Sequence, residues 1–191
     1  AGLAAGLALA PADYQQGEGF RIIYVHAPSA WLSLMVYTTM AVMAAIGLIW
    51  RMPVAHSISA SCTTIGASFT LVALVTGSLW GRPMWGTYWQ WGDARLVSWL
   101  VQLFLYLGYM ALRASFEDRD QADRVSAILA VVGIVNVPII YYSVEWWTTL
   151  HQGASVSITR APSMATTMLW GMLIMALAFW MYSIAVVLHR L

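Results

Sequence analysis

Residues 84–95 concentrate side chains that could bind a flat ligand. The segment reads MWGTYWQWGDAR, with three tryptophans, one tyrosine, Asp93 and Arg95. Trp and Tyr favour the membrane–water interface because their rings are apolar with a polar tip. Anchoring alone needs scattered aromatic residues, however, and not a dense group beside two charges. The segment therefore indicates a surface for a flat, amphiphilic, partly charged ligand such as a porphyrin.

Two histidines, His26 and His151, lie in segments that could meet this aromatic surface. Neutral imidazole binds haem iron, and two imidazoles on opposite sides complete a six-coordinate iron. Each histidine could instead be an ordinary interfacial residue with a hydrogen-bond partner. Arginine pairs with carboxylates through two parallel hydrogen bonds. Four arginines could therefore pair with haem propionates: Arg21, Arg82, Arg95 and Arg160.

The remaining polar candidates also allow simpler interpretations. Asp93 is two residues from Arg95, a spacing that does not bring side chains together on a helix. Asp93 could instead cap a helix that starts near Ala94. Glu145 could orient a histidine or a tryptophan N–H, or simply be exposed. Three further residues are predicted to have structural roles: His56, His189 and the single cysteine, Cys62, which excludes an internal disulfide and a multi-cysteine metal site.

The composition is that of an integral membrane protein. Hydrophobic residues make up 61% of the chain and charged residues 9%, whereas soluble domains carry about 25% charged residues. The formal net charge is +1, so nothing indicates binding to nucleic acid.

Apolar stretches of about 20 residues predict helices that cross the membrane, because helices satisfy their own backbone groups in lipid. We predict an all-α, polytopic transmembrane helix bundle forming one domain over residues 1–191. We expect six helices in the full protein, with the first largely missing here. Pro138 predicts a kink. The predicted spans are residues 1–11 (partial), 29–50, 57–80, 96–112, 125–142 and 163–188.

Alternation of these spans places three connecting segments on one side: residues 11–28, 81–95 and 143–162. Residues 51–56, 113–124 and 189–191 then share the other side. This second side holds five arginines against four, which favours it as cytoplasmic. His26, His151 and the tryptophans are thus predicted to face outward.

The same residues carry a resemblance to a known family. Trp85-Gly86, Trp89, Trp91 and Asp93 resemble the W-G-x-x-W-x-W-D motif of the tryptophan-rich WWD family of haem-handling membrane proteins in cytochrome c maturation. Residues 24–28 (YVHAP) and 146–153 (WWTTLHQG) resemble the two histidine regions of that family. The resemblance runs from about residue 8 to the end. Gly92 is a departure, because the family has the last tryptophan and the aspartate adjacent.

The resemblance implies a haem-presenting subunit of the bacterial inner membrane, and not an enzyme. Haem b would bind transiently and non-covalently at the periplasmic face, with His26 and His151 as axial ligands. The haem would pass to the chaperone CcmE, with CcmD and the ABC-transporter subunits CcmA and CcmB as further partners. The other implied haem-binding residues are Trp85, Tyr88, Trp89, Trp91, Asp93, Arg82, Arg95, Trp146 and Trp147.

Three other functions are possible from the residues alone. A haem-conducting permease subunit of an ABC transporter would need polar groups within its spans, where this chain offers mainly Gln102 and Asn136. An electron-transfer subunit would place its histidines inside the helices. A membrane enzyme would have only Asp93 and Glu145 as an acid–base pair.

Overall fold

The computed structural model describes residues 2–153, 155–156 and 161–191, which form a bundle of apolar helices. Five helical segments are long and apolar enough to cross a membrane: Glu18–Trp50, Pro53–Trp85, Ala94–Ala114, Arg119–Trp146 and Thr166–Arg190. The predicted polytopic helical membrane bundle is confirmed. The helices are α1 (Gly2–Ala4, continued by a π-helical turn, Ala5–Leu9), α2 (Ile23–Trp50, after a 3₁₀ turn, Glu18–Ile22), α3 (Pro53–Trp85), α4 (Ala94–Ala114), α5 (Arg119–Gly133), α6 (Asn136–Trp146) and α7 (Thr166–Arg190).

Helix α2 is central and packs against α3, α5 and α7. Small residues allow this close packing, as in other membrane bundles. A Cβ added at Gly66 would collide with the ring of Tyr106, so glycine lets α4 approach α3. The buried Tyr106 hydroxyl donates a hydrogen bond to the Ser33 carbonyl, 2.8 Å away, and ties α4 to α2.

Helix α3 is longer than its predicted span. Its 33 residues reach about 50 Å, against a hydrocarbon core of about 30 Å. The helix does not stop at Trp80, because Pro83 removes only one backbone donor. It ends where Gly86 adopts φ +77° and donates to the Arg82 carbonyl. Arg82 and Trp85, predicted in a loop, therefore lie on the last turn of α3.

Helix α2 begins earlier than predicted, at Ile23 and not at Ser29. The 3₁₀ turn leads directly into it, and Pro28 is accommodated inside the helix. His26 was predicted to precede the helix but lies in its first turn. A backbone in a regular helix holds the imidazole more firmly than a loop does.

The helix is interrupted just before Pro138, where the sequence predicts a kink. Helix α5 ends at Gly133 and α6 starts at Asn136. The interruption comes four residues before the proline, where the missing N–H and the ring disturb the Ile134 carbonyl. That carbonyl accepts instead from the Val137 N–H at 3.0 Å. Together α5 and α6 extend beyond the predicted span of residues 125–142 at both ends.

Candidate functional site

Four parts of the chain meet at one end of the bundle, which we term the histidine end: the start of α2, the end of α3, the start of α4 and the loop after α6. The ring of His26 lies near that of His151, and the ring of Trp85 also contacts His151. Asp93 accepts a hydrogen bond from the backbone N–H of Leu150 at 2.6 Å. The three segments predicted to share one side are thus in mutual contact.

The two imidazoles are spaced as a pair of axial ligands would be. Their ring centroids are 6.3 Å apart, with 29° between the ring planes. Two imidazoles on opposite sides of one metal ion, with bonds of about 2 Å, have centroids about 6 Å apart. In the described part of the chain, no group of three or more His, Cys, Asp or Glu residues could hold a metal ion. Two protein ligands are sufficient for a metal ion whose other ligands belong to its cofactor, as in haem.

His26 is positioned by α3. Its Nδ1 lies 3.0 Å from the Thr76 hydroxyl oxygen. A Cβ at Gly77 would come within 3.0 Å of the His26 Cε1 atom, so the glycine makes room for the ring. Two adjacent residues of one helix therefore define where this imidazole sits.

His151 is positioned through its neighbour by Asp93. The Asp93 carboxylate, only 2% exposed, accepts from Leu150 with one oxygen. With the other it accepts from the backbone N–H groups of Arg95 and Leu96, at 2.9 and 3.0 Å. The predicted cap of α4 is confirmed. One side chain thus fixes both the start of α4 and the loop that carries His151.

The environment of His151 keeps its imidazole neutral. Burial lowers the pKa of His151 to about 3, and the positive charge of Arg95 adds to this effect. A neutral imidazole has a nitrogen lone pair for a metal, so binding releases no proton from this side chain near neutral pH.

The tryptophan segment divides into an inner and an outer part. The ring of Trp85 lies 4.9 Å from that of His151, and Trp80 packs edge-on against it at 4.9 Å. Trp89 and Trp91 pack edge-to-face with each other at 5.5 Å, and Trp91 is 74% exposed. The exposed Tyr88 ring lies below the Arg82 guanidinium at 5.7 Å.

Trp146 and Trp147 form a neighbouring aromatic group at the end of α6. Trp146 stacks on Tyr142 at 5.3 Å, and Trp147 meets Trp146 edge-on at 5.7 Å. Both tryptophans are about half exposed, and Glu145 is exposed as well. Among the described residues, their aromatic contacts are with Tyr142 and with each other.

The arginines differ in their freedom to pair with a ligand. Arg21 already pairs with Glu18 and donates to two carbonyls of the N-terminal segment. Arg82 donates to the Gly86 carbonyl. Arg95 makes one long hydrogen bond, 3.4 Å to the Ile140 carbonyl, and its buried Nε–H has no partner among the described residues. Arg160 lies outside the described residues. Of the three arginines that the structure describes here, Arg95 is thus the best placed for an anionic group.

The residues predicted to be structural fit that role. His56 is buried and packs against Gly47, Cys62 is a buried free thiol, and His189 is exposed. The sequence did not reveal Thr76, Gly77 or Trp80. The available signal was their spacing on α3, where Thr76 and Trp80 are one helical turn apart.

Comparison with known proteins identifies the family. The model of the CcmC family, described as heme exporter protein C, matches residues 1–191. The chain belongs to the heme exporter protein C family. This agrees with the resemblance read from the tryptophan segment and the two histidine regions.

Individual members of the family align over most of the chain. "Heme exporter protein C" of Escherichia coli strain K12 is 54% identical over 166 residues, covering 86% of this chain and 67% of the relative. The protein of the same name from Haemophilus influenzae is 52% identical over 168 residues, covering 88% and 68%. A "putative cytochrome c biosynthesis ccmC-like mitochondrial protein" of Arabidopsis thaliana is 44% identical over 151 residues, covering 79% and 56%.

Proposed function

We propose that this chain binds haem b transiently and non-covalently at the periplasmic membrane face and presents it to the chaperone CcmE for cytochrome c maturation. The observation that carries the proposal is the pair of imidazoles, from residues 125 positions apart in sequence, with centroids 6.3 Å apart. The names of the relatives, heme exporter and cytochrome c biosynthesis proteins, support the same role.

In this proposal each part of the site has a separate task. His26 and His151 bind the iron as axial ligands. Trp85, beside His151, and the outer residues Tyr88, Trp89 and Trp91 offer apolar ring surface to the porphyrin. Arg95, whose Nε–H has no partner among the described residues, pairs with a propionate, and the exposed Arg82 is the second candidate. Asp93 positions His151 through Leu150.

A site at the end of a helix bundle suits a protein that releases its ligand. The exposed rings of Trp91 and Tyr88 leave one edge of the site open to another protein. Both proposed ligands are side chains, so a chaperone ligand can replace one of them without unfolding the site. CcmD and the ABC-transporter subunits CcmA and CcmB complete the proposed assembly in the inner membrane.

The permease alternative has less support from the described residues. Asn136 donates to the Gln102 side chain and to the Ser98 carbonyl, each at 3.0 Å. These polar groups join α6 to α4, as polar side chains do in membrane bundles. A route for haem through the bundle would need them to face an open path.

The handover is tested by blocking the acceptor. The chain is purified with its partner subunits and with CcmE in which the haem-accepting residue has been replaced. We expect more haem to remain on the chain than with unaltered CcmE, because the ligand cannot leave. An unchanged haem content would contradict the proposed presentation to CcmE.

A further inference from the structure

The Thr76 side chain lies between its own helix and the imidazole of His26. Its hydroxyl oxygen is 2.6 Å from the Val72 carbonyl and 3.0 Å from the His26 Nδ1. A hydroxyl has one hydrogen to donate, and a carbonyl oxygen can only accept. Two oxygens 2.6 Å apart need that hydrogen between them, so Thr76 donates to the Val72 carbonyl, with the Ala73 carbonyl more distant at 3.3 Å. The Thr76 oxygen is then left to accept from His26.

This direction of bonding fixes the tautomer of the imidazole. If Nδ1 donates to Thr76, the proton of the neutral ring is on Nδ1 and the lone pair is on Nε2. We propose that Thr76 is a positioning residue that locks His26 in its Nδ1–H tautomer and so presents the Nε2 lone pair to the ligand iron. The tautomer is a property of the ligand-free protein, and only the role toward iron rests on the proposed function.

Gly77 adds a steric restraint to the same ring. A Cβ at this position would meet His26 Cε1 at 3.0 Å and Nδ1 at 3.5 Å. The imidazole thus packs directly on the α3 backbone while its Nδ1 bonds the adjacent Thr76. The hydrogen bond to Thr76 and the contact with Gly77 both restrain the ring, and they therefore fix the direction of its Nε2.

The second imidazole lacks such a restraint. The Nδ1 of His151 is buried with no hydrogen-bond partner among the described residues, and His151 lies in a loop. Partners of this kind orient a ligating histidine and raise its basicity. Thr76 therefore makes His26 the anchored member of the pair.

The tautomer can be measured without haem. Ligand-free protein labelled with ¹⁵N-histidine is compared by NMR at pH 7.5 in wild type, Thr76→Val and Thr76→Ser. Thr39→Val is the matched control, because the Thr39 hydroxyl also bonds the carbonyl four residues earlier, at 3.0 Å, but is exposed on α2, 13 residues after His26. We expect the Nδ1–H form of His26 in wild type, Thr76→Ser and Thr39→Val, and a shift toward Nε2–H in Thr76→Val.

An unchanged tautomer in Thr76→Val would overturn the proposal and would assign the role to the nearby Ala73 carbonyl. Thr76→Ala serves as a second variant without the hydroxyl, should valine disturb the fold.

Haem titration of the same variants tests the role of Thr76 separately from the proposed binding of iron by His26. Loss of an outer-shell partner typically costs 10–100-fold in metal affinity, so we expect Thr76→Val to bind haem at least about tenfold more weakly than Thr76→Ser. A shifted tautomer with unchanged haem affinity would confirm Thr76 as the positioning residue and contradict His26 as a ligand.

Discussion

Each end of the bundle holds a histidine packed against a glycine, yet the two surroundings differ. At the histidine end, His26 packs on Gly77, bonds Thr76 and faces a second imidazole. At the opposite end, His56 packs on Gly47, and its Nδ1 has no partner in the part of the chain that the structure describes. Burial of a histidine therefore does not mark a site. A candidate site is indicated where further groups of matching chemistry lie beside the histidine, as Thr76 and a second imidazole do beside His26.

The arginines show the same contrast. At the opposite end, Arg113 bonds Asp123 at 2.8 Å and so links α4 to α5. At the histidine end, Arg21 pairs with Glu18, but the buried Nε–H of Arg95 has no partner among the described residues. Arg95 thus differs from Arg113 in keeping a donor that an anionic ligand could use.

The largest expected effect separates the histidines of the two ends. Replacing His26 or His151 with alanine should lower haem affinity by more than about 100-fold, since even outer-shell changes cost 10–100-fold. Haem content of the purified protein measures this. His56→Ala is the matched control and should keep its haem. A loss of haem equal to that of His151→Ala would contradict the assignment of the haem site to the histidine end.

Within the histidine end, the tryptophans of residues 84–95 should contribute more to haem binding than Trp146 at the end of α6. Trp85→Ala, Trp89→Ala and Trp91→Ala should each weaken haem binding by about 1–3 kcal/mol, by analogy with aromatic platforms for planar bases. Trp146→Ala should cost less, because this ring stacks on Tyr142. Haem titration ranks the four variants. A larger loss for Trp146→Ala would move the binding surface to the end of α6.

Asp93 should affect stability and ligand binding together. Asp93→Ala removes the cap of α4, at a cost of about 0.5–2 kcal/mol, and releases the loop that carries His151. Asp93→Asn keeps one side-chain oxygen and should lose less stability and less haem affinity than Asp93→Ala. Thermal unfolding and haem titration are measured on the same samples. Lower stability with full haem affinity would show that Asp93 only caps the helix.

A substitution at the opposite end should lower the stability and leave haem binding unchanged. Arg113→Ala leaves the Asp123 carboxylate unpaired, at a cost of about 1–3 kcal/mol. The haem spectrum should not change, because this pair lies at the far end of α4. Thermal unfolding with a visible spectrum of each sample tests both statements, and a changed spectrum would show that the two ends are coupled.

The sequence predicted the helical bundle because apolar stretches of about 20 residues have few alternatives in a membrane. It also indicated a disturbance of the helix near Pro138 and allowed Asp93 to cap α4, since both features depend on local chemistry. The start of α2 and the end of α3 were misplaced, and in the structure Pro28 and Pro83 lie inside these helices. A proline near a helix end removes only one hydrogen bond, and packing outweighs that loss.

The structure brings three of the predicted site residues together, namely His26, His151 and Trp85. Their role in binding stays a prediction. Trp146 and Trp147 form a separate stack. Thr76 and Gly77 were not predicted because their role depends on which face of α3 meets α2, a matter of packing that the local sequence does not fix.

The most direct test of the account is whether His26 and His151 bind the same iron. Visible spectra are recorded for the haem-loaded wild-type protein and for His26→Ala and His151→Ala, before and after addition of free imidazole. We predict a six-coordinate low-spin spectrum in wild type, its loss in each variant, and its recovery when imidazole fills the vacated position. A wild-type spectrum retained in either variant without imidazole would contradict the paired ligation.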